Sequence, residues 1–137
     1  MNRLRAMLEA HPSPAGSNGE AAMACIEACF DCAEICQICA DACLAEDDAN
    51  HLVQCIRLNL DCADICDVTG KLVARTGHRD ANTLHLQLQA CAQACRSCAD
   101  ECDKHAEQME MEHCRICAEA CGRCADACDA MVAALVP

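Results

Sequence analysis

The residues best able to do chemistry in this chain of 137 residues are its 18 cysteines, most of which recur at alternating steps of three and four. Residues at this spacing lie on one face of an α-helix, so each run places its thiols along a single stripe. Thiolates are soft donors that bind Cu(I), Zn(II) or the iron of iron–sulfur clusters. The pattern therefore predicts helices whose inward faces bind metal. The predicted thiol ligands are Cys25, Cys29, Cys32, Cys36, Cys39, Cys43, Cys55, Cys62, Cys66, Cys91, Cys95, Cys98, Cys102, Cys114, Cys117, Cys121, Cys124 and Cys128.

The start of the chain is predicted to be separate from the helices that carry these stripes. Residues 3–11 can form a short amphipathic helix, and a linker rich in Pro, Ser and Gly follows it. Ser17 or Asn18 is available to cap the next helix. We therefore divide the chain into residues 1–16, a short helix and linker, and residues 17–137, a four-helix metal-binding domain.

Caps, breakers and register mark the four long helices. The first helix is predicted to end near Ala45, and the second to span roughly residues 48–75, with Gly77 ending the segment. Asp80 or Asn82 is predicted to cap the third helix. No Gly or Pro marks the end of the third helix. The cysteine stripe nevertheless changes register between Cys102 and Cys114, so a turn is predicted within residues 104–111.

Four helices with short connections and one thiol stripe each predict an all-α fold, an antiparallel four-helix bundle with a cysteine-lined core. Because successive helices alternate in direction, the two ends of the bundle differ. The end called here the mouth gathers Cys43, His51, His105, Met109, Met111 and His113. The opposite, apolar end gathers Met23, Val73, Leu84, Leu88, Met131 and Leu135.

Composition excludes several classes of function. The net charge of −12 argues against nucleic-acid binding, which needs clustered Lys and Arg. No secretory h-region and no apolar run of the ~20 residues that span a membrane is present, so we expect a cytoplasmic protein with reduced thiols. No nucleophile–base pairing or phosphate loop is readable, and we expect no enzyme activity.

Charge balance favours Cu(I) among the soft metals. Eighteen buried thiolates carry a charge that is very costly unless compensated. Zinc at four thiolates per ion would leave about half of this charge unbalanced, whereas about one Cu(I) per cysteine leaves none. A zinc or general heavy-metal buffer stays the first alternative. An iron–sulfur electron carrier is the second, although the cysteine spacing differs from that of bacterial ferredoxins.

The residues also resemble the cytosolic four-helix-bundle copper storage proteins. The resemblance depends on the cysteine runs 25–43 and 91–102 and on the segment from His113 to Cys128. It implies many Cu(I) ions stored along the bundle axis, copper uptake at the histidine-bearing end, and a homotetramer. The implied partners are copper ions and a copper chaperone or copper-requiring enzyme. His113 is the one non-cysteine ligand that the resemblance carries over.

Several other polar residues are either metal ligands or residues with only a structural or surface role. Asn59 faces the interior between two cysteines and is either a metal ligand or a polar residue that sets helix register. His105 lies at the mouth beside the thiols and is predicted with His113 as a ligand. His51, His78 and His85 fit surface positions better. The Glu-x-x-His pattern that ends at His113 resembles half of a di-iron site, but the inward positions that would complete such a site are cysteines.

Overall fold

Five α-helices and one short 3-10 helix make up the computed structural model of the protein, which describes residues 2–13 and 18–135. The α-helices are α1 (Asn2–Ala10), α2 (Gly19–Leu44), α3 (Val53–Ala74), α4 (Ala81–Met109) and α5 (Glu112–Leu135). The 3-10 helix is Ala49–His51. The predicted boundary between residues 16 and 17, and Ser17 as a cap, lie outside the described residues.

Helices α2 to α5 form the predicted bundle. Each packs against two neighbours: α2 against α3 and α5, and α4 against α3 and α5. The inward face of every one of these helices carries cysteine and alanine. These small side chains let the helices approach closely, and the larger buried side chains lie toward the ends of the bundle, as with Leu52, Val73, Leu88 and Met131. No helix in the described part of the chain is long and apolar enough to cross a membrane.

Gly70 shows how close the helices come. A Cβ atom at this position of α3 would lie 3.0 Å from the Cε1 and Cζ atoms of Phe30 and 3.3 Å from Cys29 Cβ on α2. These distances are shorter than nine in ten contacts that real Cβ atoms make, so a neighbouring group would have to shift. Glycine therefore permits the approach of α3 to α2 beside the thiols.

The connection from α2 to α3 differs from its prediction. The expected second helix over roughly 48–75 begins later, because residues 49–51 form a 3-10 helix and α3 starts at Val53. Within this connection the backbone N–H of Glu46 donates to Cys43 O (3.2 Å), and that of Ala49 donates to Glu46 O (3.2 Å). The connection is thus a compact turn fixed to the end of α2.

The remaining helix boundaries agree only in part with the cap and breaker residues of the sequence. Asp80 caps α4, because its Oδ1 accepts from the backbone N–H of Asn82 at 3.2 Å. Asn18 occupies the N-cap position of α2 without a side-chain hydrogen bond. The left-handed residue after α3 is His78 (φ 52°) and not the neighbouring Gly77. The predicted turn after α4 is formed by Glu110, which is also left-handed (φ 53°), so the helix ends without the glycine that usually marks such a site.

Helix α1 lies at the apolar end of the bundle. Its Leu4 and Leu8 pack against the core, and Arg5 forms an ion pair with Glu20 at 2.9 Å at the start of α2. The chain after α1 reaches the connection between α3 and α4, where Thr76 Oγ1 donates to Ser13 O at 2.9 Å. Helix α1 therefore covers the end opposite the mouth.

Candidate metal-binding site

All 18 cysteines are buried free thiols, and their sulfur atoms form one column along the bundle axis. Cys32 Sγ on α2 lies 4.0 Å from Cys62 Sγ on α3. Cys66 Sγ, one turn further along α3, lies 3.5 Å from Cys95 Sγ on α4 and 3.8 Å from Cys124 Sγ on α5. The four stripes predicted from sequence therefore meet, and sulfurs from all four helices come within bridging distance of one another.

The column divides into overlapping groups of potential ligands. Several sets of four residues have ligand atoms within 4.8 Å of one another. The sets made of cysteine alone include Cys29/Cys91/Cys124/Cys128, Cys32/Cys62/Cys66/Cys95, Cys32/Cys36/Cys62/Cys121 and Cys36/Cys98/Cys117/Cys121. Cys32 and Cys36 each belong to two of these sets, so separate four-coordinate ions cannot fill all of them. Sharing of this kind suits a metal that accepts fewer donors and bridging sulfurs.

Hydrogen bonds between thiols oppose simultaneous ionisation of the column. Hydrogen bonding to Cys124 and Cys128, with burial, raises the pKa of Cys29. Hydrogen bonds from Cys128 and Cys29 lower the pKa of Cys25 despite burial. An ionised sulfur is thus stabilised only while its neighbours keep their protons. Thiolates along the whole column require cations between them, and metal binding must release the protons.

Asn59 interrupts the column with an amide. It is fully buried, and its Oδ1 accepts from the Sγ–H groups of Cys98 and Cys117, both at 3.0 Å. Its Nδ2 donates to Cys55 Sγ at 3.6 Å. The structure confirms that Asn59 faces the interior and shows it joining cysteines of three helices by hydrogen bonds. Its role as a metal ligand stays a prediction.

His113 stands at the mouth of the column. Its Nδ1 lies 3.4 Å from Cys39 Sγ and 3.6 Å from Cys114 Sγ. With Cys39, Cys43 and Cys114 it forms another set of four potential ligands within 4.8 Å. Its other ring nitrogen, Nε2, lies 2.8 Å from Glu46 Oε2. Burial lowers the pKa of His113, but the hydrogen bonds to Cys39 and Glu46 outweigh it, and the pKa is raised overall.

His105 repeats part of this arrangement on α4. Its ring is almost buried, and Nε2 lies 2.9 Å from Oε2 of Glu101, one turn earlier on the same helix. Its Nδ1 is buried and has no hydrogen-bond partner among the described residues. A buried nitrogen of this kind is available to a metal. Ligation by His105 and His113 remains a prediction.

The structure also locates two further histidines and the two methionines predicted at the mouth. His51 is exposed, with Nδ1 3.9 Å from Asp48 Oδ1, and His78 is exposed in its turn at the other end, as expected of surface histidines. Met111 is buried and Met109 half-buried. Both line a depression of about 510 Å³ at the mouth whose other lining residues include His113 and several carboxylates.

The apolar end closes the column. Beyond the last thiols of α3, Thr69 is fully buried; its Oγ1 donates to Ile65 O at 2.7 Å and accepts from Gln87 Nε2 at 3.0 Å. Leu84 and Leu88 are buried beyond it. Among the described residues, the thiols therefore adjoin histidine nitrogens at the mouth and an already bonded hydroxyl and leucine side chains at the opposite end.

Glu46 and Glu101 are the site residues that the sequence analysis missed. Glu101 precedes His105 by four residues on one helix, a spacing at which side chains meet, so this pair could have been found. Glu46 and His113 are 67 residues apart. Only the packing of the α2–α3 connection against the start of α5 brings them together.

Comparisons with known proteins agree with this geometry. A family model described as copper storage protein (Csp) matches residues 18–133. A structure of the copper storage protein Ccsp of Streptomyces lividans, loaded with 10 copper equivalents, is 44% identical, with 95% of this chain and 98% of that chain covered and a TM-score of 0.90. A cytosolic copper storage protein from the same organism, with five coppers, is 48% identical, with 83% and 93% covered and a TM-score of 0.80.

A more distant structure is the Cu(I)-bound copper storage protein BsCsp3 of Bacillus subtilis. It is 38% identical, covers 82% of this chain and 98% of its own, and superposes with a TM-score of 0.71. Among curated proteins no match is found.

Proposed function

Because the chain belongs to the copper storage protein family, we propose that it stores many Cu(I) ions, about one per cysteine, along the axis of its bundle. The observation that carries this proposal is the sharing of sulfurs between overlapping sets in one buried column. Shared sulfurs suit an ion that accepts two or three donors. A single positive charge per thiolate also balances the charge of a column that cannot ionise alone.

The metal is proposed as cargo, and the protein as a reservoir without catalytic activity. A cytoplasmic location is supported by the cytosolic relative from Streptomyces lividans, and the reducing cytoplasm would keep the thiols free. A copper chaperone or copper-requiring enzyme is proposed to exchange the metal. We also propose a homotetramer, for which exposed Ile38, Val53 and Leu86 on the outer faces offer apolar contacts.

Copper is proposed to pass through the mouth. Imidazole nitrogens and sulfurs there can replace the water ligands of an arriving ion one by one. Leu84 and Leu88 at the opposite end offer no donor, and α1 packs over that end. The mouth also carries the acidic residues of the α2–α3 connection, which attract cations.

A metal titration of the reduced protein under anaerobic conditions tests the proposal. Cu(I) is expected to saturate near one ion for each of the 18 cysteines, without visible colour. Saturation by a divalent ion near one per four cysteines, with no further uptake of Cu(I), would favour the zinc buffer. Colour after addition of iron and sulfide would favour the electron carrier.

A further inference from the structure

Two histidines at the mouth are held in the same way, each by one carboxylate. Nε2 of His113 lies 2.8 Å from Glu46 Oε2, and Nε2 of His105 lies 2.9 Å from Glu101 Oε2. In each ring the opposite nitrogen, Nδ1, is turned into the protein. For His113 it faces the sulfur of Cys39 at 3.4 Å, and for His105 it is buried without a partner.

The chemistry of the carboxylate decides which nitrogen carries the proton. An ionised carboxylate only accepts hydrogen bonds, and a neutral imidazole has one N–H and one lone pair. A nitrogen within 3 Å of the carboxylate must therefore be the one that bears hydrogen. The lone pair is then on Nδ1, which is the nitrogen that faces the thiols in His113.

We propose that Glu46 and Glu101 are positioning residues for metal transfer at the mouth. Each accepts the Nε2–H of its histidine and so keeps the lone pair of Nδ1 directed to the interior. This inference rests on the proposed function of copper storage. In protein metal sites, histidine ligands generally donate their other ring N–H to a carboxylate or carbonyl, and loss of that partner typically costs 10–100-fold in metal affinity or activity.

The location of each carboxylate favours positioning. Glu101 is on the helix of its own histidine, one turn away, and both side chains are largely buried, 15% and 11% exposed. Glu46 belongs to the compact α2–α3 connection, whereas His113 is in the first turn of α5. The contact between them places the ring of His113 beside Cys39, near the end of α2, and Cys114, near the start of α5.

A purely structural role is the competing explanation, in which Glu46 only fastens the α2–α3 connection to α5. Both explanations give His113 the same tautomer, because a carboxylate accepts only from a nitrogen that bears hydrogen. They differ in the consequence for copper. Positioning requires that loss of Glu46 slows copper uptake more than loss of a neighbouring charge does, whereas fastening lowers stability and leaves uptake by the folded protein unchanged.

The first experiment measures the tautomers without copper, because positioning fails if the carboxylates do not set them. Long-range ¹H–¹⁵N correlation spectra of the reduced full chain are recorded at a pH at which the imidazoles are neutral. We expect hydrogen on Nε2 and an unprotonated Nδ1 in both histidines. Glu46→Ala is expected to mix the tautomers of His113 alone, and Glu101→Ala those of His105 alone. Hydrogen on Nδ1 of His113 in the unmodified protein, or an unchanged spectrum in Glu46→Ala, would overturn the proposal.

The second experiment measures copper uptake by stopped-flow transfer from a Cu(I) donor complex. Glu46→Ala is expected to slow uptake about 10-fold, the lower limit for loss of such a partner, while the number of ions at saturation stays within one or two of the unmodified protein. Glu46→Gln, whose amide oxygen can still accept the Nε2–H, should recover much of the rate. Glu46→Gln also replaces Glu46→Ala as the test variant if the alanine variant folds poorly.

Matched controls remove the same charge without touching a histidine. Asp47→Ala lies next to Glu46, and Asp103→Ala lies near Glu101; both side chains are exposed. Each loses only the attraction of one exposed charge for cations, so each is expected to take up copper much faster than the corresponding glutamate variant. If Asp47→Ala slowed copper uptake as much as Glu46→Ala, loss of negative charge at the mouth would explain the slower uptake, and positioning would be refuted. The tautomer spectra need no copper, so failure of the storage function and failure of the positioning role give different results.

Discussion

Replacing Cys32 by alanine removes one sulfur from the middle of the thiol column. In the structure, Cys32 Sγ lies 3.7 Å from both Cys36 Sγ and Cys121 Sγ and 4.0 Å from Cys62 Sγ. It belongs to two of the four-cysteine sets. The perturbation thus affects neighbours on all four helices without touching the mouth.

The two candidate metals predict different losses. With about one Cu(I) per thiolate for charge balance, removing one of 18 cysteines lowers the capacity by about one ion. Two ions are lost if a bridging sulfur cannot be replaced. With four thiolates per zinc the column holds about four ions, and losing one set removes about a quarter of the capacity. The metal-free bundle should lose about 1 kcal/mol or less of unfolding free energy, because the small cavity is offset by the higher helix propensity of alanine.

Capacity is measured by anaerobic Cu(I) titration followed by metal analysis of the desalted protein, and stability by urea unfolding of the metal-free form. Ser97→Ala is the matched control, because it removes a polar atom from α4 next to Cys98 without removing a thiol, and it should keep full capacity. Loss of all binding in Cys32→Ala would show one cooperative cluster and refute storage in a column of shared sites.

Two further predictions concern the metal-free bundle. Gly70→Ala should lower the urea midpoint, because its Cβ would meet Phe30 and Cys29 at 3.0–3.3 Å and overpacking costs about 1–3 kcal/mol. Gly122→Ala is the control: its Cβ would meet nothing within 4 Å, so the free energy of unfolding should rise by about 0.5–1 kcal/mol. A stabilised Gly70→Ala variant would contradict the close packing of α3 on α2. The raised pKa of His113 implies stabilisation that is complete below the pKa of the unfolded state and lost as pH rises through the folded pKa. Urea unfolding across this range should show that loss in the unmodified protein and lack it in His113→Gln; the same pH dependence in both would contradict the assignment.

Local periodicity was sufficient to predict the helices and their inward faces. Steps of three and four residues define a face in any α-helix, so the burial of all 18 cysteines and of Asn59 follows from spacing alone. The change of register between Cys102 and Cys114 located a turn that no glycine marks. The sequence alone therefore determines the inward direction of these residues.

Tertiary structure decided how the stripes meet. Which sulfurs share a metal depends on how far the four helices are shifted relative to one another along the bundle axis, and packing such as that at Gly70 sets these shifts. The bonds from Cys98 and Cys117 to Asn59 depend on them too. Sequence signals also misplaced the start of α3, because an acidic run fits a helix start and the 3-10 turn of residues 49–51 equally well. The pairing of Glu46 with His113 spans 67 residues, and a contact between distant segments leaves no local pattern from which it can be predicted.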